Sequence, residues 1–220
     1  MLNTGVEPVH LNKGMRLDLP GCDTLLHRIN LTTEHQIRQH PYRVPQQLKP
    51  ELNTHVNELL ESGIVQESES PNLAPVLLVR KRDGTYRLCT DLRRINEHTV
   101  PLPYPISNIT ELVDNLGGSR LFSTLDLCSG FFQMKLHPDD MWKTAFSTKT
   151  GLYEWTRAPM GMRNAPNSFQ RLMEIVLPGL SPLGIAPYFD DIIVASSDSV
   201  DEHFSKLELV KTETREMRVS

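Results

Sequence analysis

The chain has 220 residues, of which 39% are hydrophobic and 23% are charged, and its formal net charge is −4. These values are ordinary for a globular domain with a substantial core, and the mildly acidic balance argues against a protein that is basic throughout, as many duplex-binding proteins are. No run of about 18 consecutive apolar residues predicts a membrane span, so we expect no membrane partner.

The chain begins with a stretch that carries few structural signals. Residues 1–45 are polar and end in the proline-containing segment 40–45, which favours extended backbone, so an irregular lead-in is predicted there. A helix follows, with Pro50 in its first turn, apolar residues repeating on one face and Gly63 at its end.

The next element is a β-hairpin. Two strand-like runs, residues 75–80 and 85–90, flank Lys81-Arg82-Asp83-Gly84. Asp-Gly between two such runs is a strong hairpin signal. Residues 80–94 hold six Lys or Arg against two Asp, so this region is a local basic patch that the net charge conceals.

The remaining elements mix helices and strands without a regular βαβ repeat. This order favours an α+β fold over a doubly wound parallel sheet. In chain order we expect an amphipathic helix over 109–116 closed by Gly117-Gly118, a strand over 121–127, a helix from Ser129, a hairpin at Thr150-Gly151, a helix from Ala165 or Pro166, and a last helix over 201–217.

The cysteines give the redox compartment. Cys22, Cys89 and Cys128 are widely spaced, form no Cys-x-x-Cys pair and have no histidine partners in a zinc-ligand pattern. They are interpreted as free thiols of a reducing compartment. The N-terminus lacks the charged start and apolar core of a signal peptide. We therefore expect an intracellular protein, with cytoplasm and nucleus both open.

Three carboxylates carry the strongest chemical signal. Asp190 and Asp191 interrupt the apolar run 186–195, and Asp126 closes an apolar strand far upstream. Adjacent carboxylates repel, and burying them without a counterion is costly, so the pattern indicates a bound cation. Together they suggest a divalent-metal site that handles phosphates. The residues alone allow another interpretation, in which Asp190 and Asp191 lie in a solvated turn and Asp126 is a residue at a strand end.

Four segments resemble motifs of reverse transcriptases and occur in that family's order. Tyr188-Phe189-Asp190-Asp191 resembles the aromatic-x-Asp-Asp motif, and residues 121–133 resemble the motif with the first metal-binding aspartate. Residues 159–170 resemble the Pro-x-Gly-x-x-Asn-Ala-Pro motif, and residues 79–96 resemble the fingers hairpin with the segment after it. The resemblance covers about residues 27 to 205. Over this range the sequence is similar in particular to polyproteins of gypsy-type LTR retrotransposons.

The resemblance implies a fold, a reaction and partners. The fold is α+β, the fingers and palm of a reverse transcriptase, with a small antiparallel palm sheet packed on helices. The reaction adds deoxynucleotides to a primer 3′-hydroxyl by two-metal phosphoryl transfer. Two Mg²⁺ ions, replaceable by Mn²⁺, are the cofactors, and an RNA or DNA template with primer and a dNTP are the partners. Residues 1–45 become the lead-in, 46–210 the fingers and palm domain, and 211–220 a divergent tail.

The family motifs also assign roles to single residues. Asp126, Asp190 and Asp191 are implied to be catalytic and to bind the metal ions, with the Leu127 carbonyl as a further ligand. A second set is implied to bind the nucleotide: Lys81 and Arg87 at the triphosphate, Phe131 under the sugar where it excludes a 2′-hydroxyl, and Met160 and Gly161 lining the pocket.

Two other functions stay open. The likeness fades after Lys211, and we expect no primer-grip hairpin, thumb or RNase H sequence in residues 211–220; a longer polyprotein or a partner could supply them. One alternative is a catalytically silent, truncated transposon remnant. The other is a scaffold domain whose hairpin contacts RNA without chemistry. A different two-metal phosphotransferase is disfavoured because it does not need the four ordered motifs.

Overall fold

The computed structural model describes residues 22–104, 116–127, 130–188, 191–197 and 199–216. Most of the helix predicted over 109–116 lies outside these residues, as do Cys128, Ser129, Phe189 and Asp190. Within the described ranges, no helix is long and apolar enough to cross a membrane.

The described elements mix short strands with helices throughout the chain. The helices are α1 (Lys49–Glu61), α2 (Arg93–His98), α3 (Gly130–Gln133), α4 (Pro138–Met141), α5 (Ala165–Val176) and α6 (Val200–Glu216). The strands are β1 (Cys22–His27), β2 (Val65–Glu67), β3 (Val76–Arg80), β4 (Tyr86–Thr90), β5 (Leu121–Asp126), β6 (Met134–Leu136), β7 (Phe146–Ser147), β8 (Leu152–Trp155), β9 (Ile185–Tyr188) and β10 (Asp191–Ser196).

Both predicted hairpins are confirmed. Strands β3 and β4 pair antiparallel, and Gly84 between them adopts a φ of 87°, which glycine reaches without steric cost. Strands β7 and β8 also pair antiparallel, and Thr148 N donates to the Gly151 carbonyl across their turn. The turn residues therefore identified both hairpins from local sequence.

The lead-in differs from the prediction. Residues 22–27, expected to be irregular, form β1, which pairs in parallel with β6 more than a hundred residues later. His27 at the end of β1 is buried and its Nδ1 lies 2.8 Å from the Ser168 hydroxyl. The sequence offers no local signal for this strand, because its partner strand is remote and one of its buried residues is polar.

A three-stranded antiparallel sheet of order β5–β10–β9 carries Asp126 and Asp191. Helix α6 contacts β10, and α5 contacts β9 and β1. Ile192 and Val194 belong to the main core, whereas Ile193 and Ala195 pack in a second, small apolar cluster. Since successive strand residues alternate between faces, Asp191 shares the face of Ile193 and Ala195, away from the main core.

The predicted α+β class is confirmed: small antiparallel sheets pack on helices. The boundary placed after residue 210 falls inside α6, which runs on to Glu216. Val210 is 1% exposed and anchors this part of the helix to the core.

Candidate functional site

The backbone register brings two of the predicted aspartates together. Asp126 is the last residue of β5, Asp191 is the first of β10, and the two are direct partners across the antiparallel pair. Residues at opposed positions of such a pair share one face of the sheet. Asp190, the residue before Asp191, lies outside the described residues. The strands thus place Asp126 and Asp191 at one end and on one face of the sheet.

The electrostatics of this sheet end suit a cation. Like charges directly opposite each other destabilise a strand pair, and Asp191 is exposed to solvent. Carboxylate oxygens are ligands that Mg²⁺ prefers. No cluster of three or more His, Cys, Asp or Glu residues that could hold a metal occurs among the described residues. The predicted metal site has Asp190 as its third carboxylate, and Asp190 lies outside the described residues.

Leu127 and Phe131 lie directly after the Asp126 strand. The Leu127 carbonyl accepts a hydrogen bond from Gly130 N at 3.1 Å. A carbonyl oxygen has two lone pairs, so this bond leaves one for another partner. Phe131 is half-buried on α3, and its ring lies 5.4 Å from that of Phe169 on α5. Helix α5 therefore contacts the Phe131 ring through Phe169.

The predicted triphosphate-binding residues lie on the β3–β4 hairpin. Lys81 is exposed in the turn, where its N–H donates to the Thr85 carbonyl at 2.7 Å. Arg87 is exposed on β4, and its Nη1 lies 3.7 Å from Sδ of Met160. This contact brings Arg87 and Met160, both predicted to bind nucleotide, next to each other although they belong to different motifs.

Met160 and Gly161 lie on an open loop before α5. Met160 is 46% exposed. Gly161 has a φ of 86°, and an added Cβ would meet no atom within 4 Å. Glycine is thus favoured here by the left-handed backbone and not by crowding within the chain. The loop leaves open space beside two predicted nucleotide-binding residues.

Three asparagines that the sequence analysis gave no role fasten this region. The Asn96 side chain bonds Gly161 O and Arg163 N at 2.7 and 2.9 Å. Asn164 bonds Leu102 N and Val100 O, and Asn167 bonds Tyr104 O. An amide carries both donor and acceptor, which suits it to pairing with a passing backbone. All three lie in the segments that resemble family motifs, and this position was the sequence signal that could have identified them.

His203 on α6 is a further residue that sequence reasoning missed. It is 9% exposed, and its Nε2 lies 2.8 Å from the Ser123 hydroxyl of β5. Its Nδ1 lies 3.1 Å from the Ser196 hydroxyl of β10. One ring therefore ties both aspartate-bearing strands to the helix behind them, on the face opposite Asp191.

Asp91, at the end of the hairpin, is held by its neighbours. Arg93 Nη2 donates to its carboxylate at 2.7 Å, and the Tyr42 hydroxyl donates at 2.6 Å. The hydrogen bonds from Arg93, with a smaller contribution from Tyr42, hold the pKa of this carboxyl well below its usual range although burial opposes them. Asp91 thereby fastens the lead-in, through Tyr42, to the hairpin and α2.

Comparison with known proteins identifies relatives over most of the chain. Residues 79–220 match a family model described as reverse transcriptase (RNA-dependent DNA polymerase). The retrovirus-related Pol polyprotein from transposon 297 of Drosophila melanogaster is 39% identical over 195 residues, which cover 86% of this chain and 18% of the relative. The polyprotein from transposon gypsy of the same fly is 38% identical over 156 residues, 68% of this chain and 15% of the relative. The chain thus spans less than a fifth of these relatives.

Solved structures show the same fold. The foamy viral protease-reverse transcriptase in complex with an RNA/DNA hybrid superposes with a TM-score of 0.82 at 27% identity, covering 93% of this chain and 27% of that chain. Its dRH form in complex with double-stranded DNA gives a TM-score of 0.81 at 28% identity, covering 91% of this chain and 35% of that chain.

Proposed function

This chain belongs to the reverse transcriptase family, and we propose that it is the catalytic core of an RNA-directed DNA polymerase of a gypsy-type LTR retrotransposon. The observation that carries the proposal is the register of β5 and β10, which sets Asp126 opposite Asp191. The foamy viral relatives were solved with an RNA/DNA hybrid and with double-stranded DNA, which supports a primed template as partner here.

The proposed reaction is transfer of a nucleotidyl group. The primer 3′-hydroxyl gives up its proton to solvent and its oxygen forms a bond to the α-phosphorus of a dNTP, while the bond from that phosphorus to the oxygen shared with the β-phosphate breaks and pyrophosphate leaves. Asp126, Asp190 and Asp191 hold two Mg²⁺ or Mn²⁺ ions, with the Leu127 carbonyl as a further ligand. When bound, the ions lower the pKa of the attacking hydroxyl and stabilise the charge on the transferring group. The opposed acidic positions fit such ions, because oxygen donors suit hard cations.

The nucleotide is held by groups on three segments. Lys81 and Arg87 bind the triphosphate: arginine makes forked contacts with phosphate oxygens, and lysine acts as a mobile point charge. Phe131 lies under the sugar and excludes a 2′-hydroxyl by bulk, and Met160 and Gly161 line the pocket. The contact of Arg87 with Met160 supports this assignment, since it joins the hairpin to the loop.

Primer extension tests the proposal. The chain, and the chain joined to the thumb of a gypsy-type relative, are given a primed RNA template, dNTPs and Mg²⁺. Incorporation that is lost in Asp190→Asn and Asp191→Asn, and kept in Asp139→Asn, supports it. Asp139 is 73% exposed and lies outside the predicted site, so this variant controls for the change of charge.

The other results separate the alternatives. Activity only with the thumb present means an intact core that needs a clamp on the primer-template. Silence in both forms contradicts the proposal and favours a catalytically silent remnant. Silence combined with salt-sensitive RNA binding favours the scaffold function, because phosphate contacts make affinity depend on salt.

A further inference from the structure

Asn96 on α2 connects two backbone groups of the nucleotide-pocket loop, defined here as residues 160–163. Its Nδ2 donates to the Gly161 carbonyl at 2.7 Å, and its Oδ1 accepts from Arg163 N at 2.9 Å. The two bonds use the donor and the acceptor of one amide, so they also fix its orientation. No other common side chain of this length offers both groups.

The loop is held by this amide together with the side chains of Met162 and Arg163. Gly161 is in the left-handed region and an added Cβ would contact nothing within 4 Å, whereas the neighbouring Met162 is 4% exposed and packs in the main core. Arg163 adds bonds from Nη1 to the carbonyls of Asn96 and Thr99 at 3.0 and 3.3 Å. These bonds run to the same end of α2. The residues on both sides of Met162 are therefore anchored on α2.

Helix α2 is a firm anchor. Leu92, just before it, and Ile95 within it are 2% and 1% exposed and belong to the main core. Asn96 N donates to the Leu92 carbonyl, and the Thr99 hydroxyl donates to the Ile95 carbonyl at 2.8 Å. A half-buried side chain on such a helix has a fixed position, so it also fixes the position of the groups that it binds.

The same helix follows the strand that carries Arg87. Asp91 joins the two, because its carboxylate accepts from Arg93 N at 3.1 Å and from the Arg93 side chain. The Arg87 guanidinium in turn contacts Met160 on the loop. The hairpin and the loop are thus both joined to α2. The hairpin is joined to it through the chain, and the loop through Asn96.

We propose that Asn96 is a positioning residue for nucleotide binding, which fixes the loop of Met160 and Gly161 relative to Arg87. The inference rests on the proposed function and assigns to it a residue that does not touch the nucleotide. Losing the amide loosens the pocket before the chemical step, so nucleotide affinity falls while the rate at saturation is largely kept.

The test compares Asn96→Ala and Asn96→Asp with Asn57→Ala, an exposed asparagine of α1 that lies outside the site. The first readout is hydrogen exchange of the Arg163 amide in the 220-residue chain. Asn96→Ala removes its acceptor and is expected to speed exchange about tenfold. Asn96→Asp keeps an acceptor oxygen and is expected to retain protection.

The second readout is dTTP binding with Mg²⁺ by equilibrium titration, and KM and kcat on whichever form extends a primer. Asn96→Ala is expected to weaken dTTP binding about tenfold with kcat nearly unchanged, and Asn57→Ala to match wild type. Thermal unfolding is followed alongside, and little change in Tm is expected for the half-buried Asn96. Loss of kcat with unchanged KM would contradict a positioning role.

Failure of this inference is distinguishable from failure of the proposed function. Unchanged exchange at Arg163 in Asn96→Ala overturns the inference whether or not the protein is active. Faster exchange with unchanged dTTP affinity overturns it as well. A wild-type protein that binds no dTTP and extends no primer in either form overturns the proposed function, and the exchange data then decide only whether Asn96 fixes the loop.

Discussion

Arg87 on β4 and Met160, 73 residues later in the loop before α5, are joined by a contact of 3.7 Å between Nη1 and Sδ. A thioether sulfur is a weak acceptor, whereas a guanidinium binds phosphate oxygens strongly and often through two bonds. The proposed triphosphate is therefore a better partner than the sulfur. Among the described residues, Arg87 is thus in contact with a weak acceptor beside the proposed pocket.

The proposed triphosphate contact predicts a change in nucleotide affinity. Arg87→Ala is expected to raise KM for dNTPs about 10- to 100-fold, because a hydrogen bond to a charged group contributes roughly 1.5–3 kcal/mol. Arg82→Ala removes the same charge from the exposed turn of the same hairpin and serves as the control. Steady-state kinetics with an active form measures both. Equal effects of the two variants would argue for a general electrostatic contribution only.

The opposed aspartates predict a stability that depends on Mg²⁺. Asp191→Asn removes a carboxylate from the strand position opposite Asp126 and so a ligand of the proposed ions. Added Mg²⁺ is expected to raise the Tm of wild type and to raise that of the variant less, because a ligand of the native state stabilises it by mass action. Calorimetry with and without Mg²⁺ checks this, and an equal Mg²⁺ shift would contradict a site at these residues.

His27 predicts a loss of stability in mild acid. Burial, opposed by the charge of Asp140, lowers the pKa of its ring to about 4 from 6.5. The unfolded chain then binds a proton that the folded chain does not, so the free energy of unfolding falls as pH falls from about 6.5 towards 4. The full effect is about 3 kcal/mol. Urea titrations over this range, compared with His27→Gln, measure it; an identical pH slope in the variant would contradict the prediction.

Asp140 predicts a large structural effect outside the site. It is 0% exposed and accepts from Arg28 Nε at 2.8 Å, Lys143 Nζ at 2.5 Å and Ile29 N at 3.0 Å. Asp140→Asn removes the carboxylate that pairs with Lys143, which is 15% exposed, and leaves Arg28 its pair with Asp139 at 3.7 Å, so it is expected to cost about 3–5 kcal/mol. Denaturant unfolding measures the change, with the 73%-exposed neighbour in Asp139→Asn as control. A small loss of unfolding free energy in Asp140→Asn would mean that water replaces the carboxylate as hydrogen-bond partner of the two cations.

Gly184 predicts a steric effect on the sheet that carries Asp191. Its φ is 78°, and an added Cβ would lie 2.6 Å from the Ala195 carbonyl oxygen. Gly179 also has a positive φ, 70°, but open space around it. Gly179→Ala is expected to cost roughly 1–2 kcal/mol for the left-handed backbone alone, and Gly184→Ala clearly more. Similar losses of unfolding free energy in the two variants would show that the strand end relaxes freely.

The confirmed sequence predictions share a physical basis in local signals. The Asp83-Gly84 turn, the helix ending before Gly63 and the helix beginning at Ala165 depend on residues close in the chain. Turn conformations, helix termini and apolar periodicity are set by such neighbours. The four ordered motifs identified the family in the same way. The roles of the nine predicted site residues remain predictions.

The sequence by itself determined the α+β class, most element positions and the family. Only the tertiary structure decided the pairing of β1 with β6, the position of Asp126 opposite Asp191, the contact of Arg87 with Met160, and the two bonds of Asn96. Each of these joins segments distant in the chain, and none has a local signature. Their geometry depends on the packing of the whole domain, because forming a long-range contact requires closing the chain between its partners.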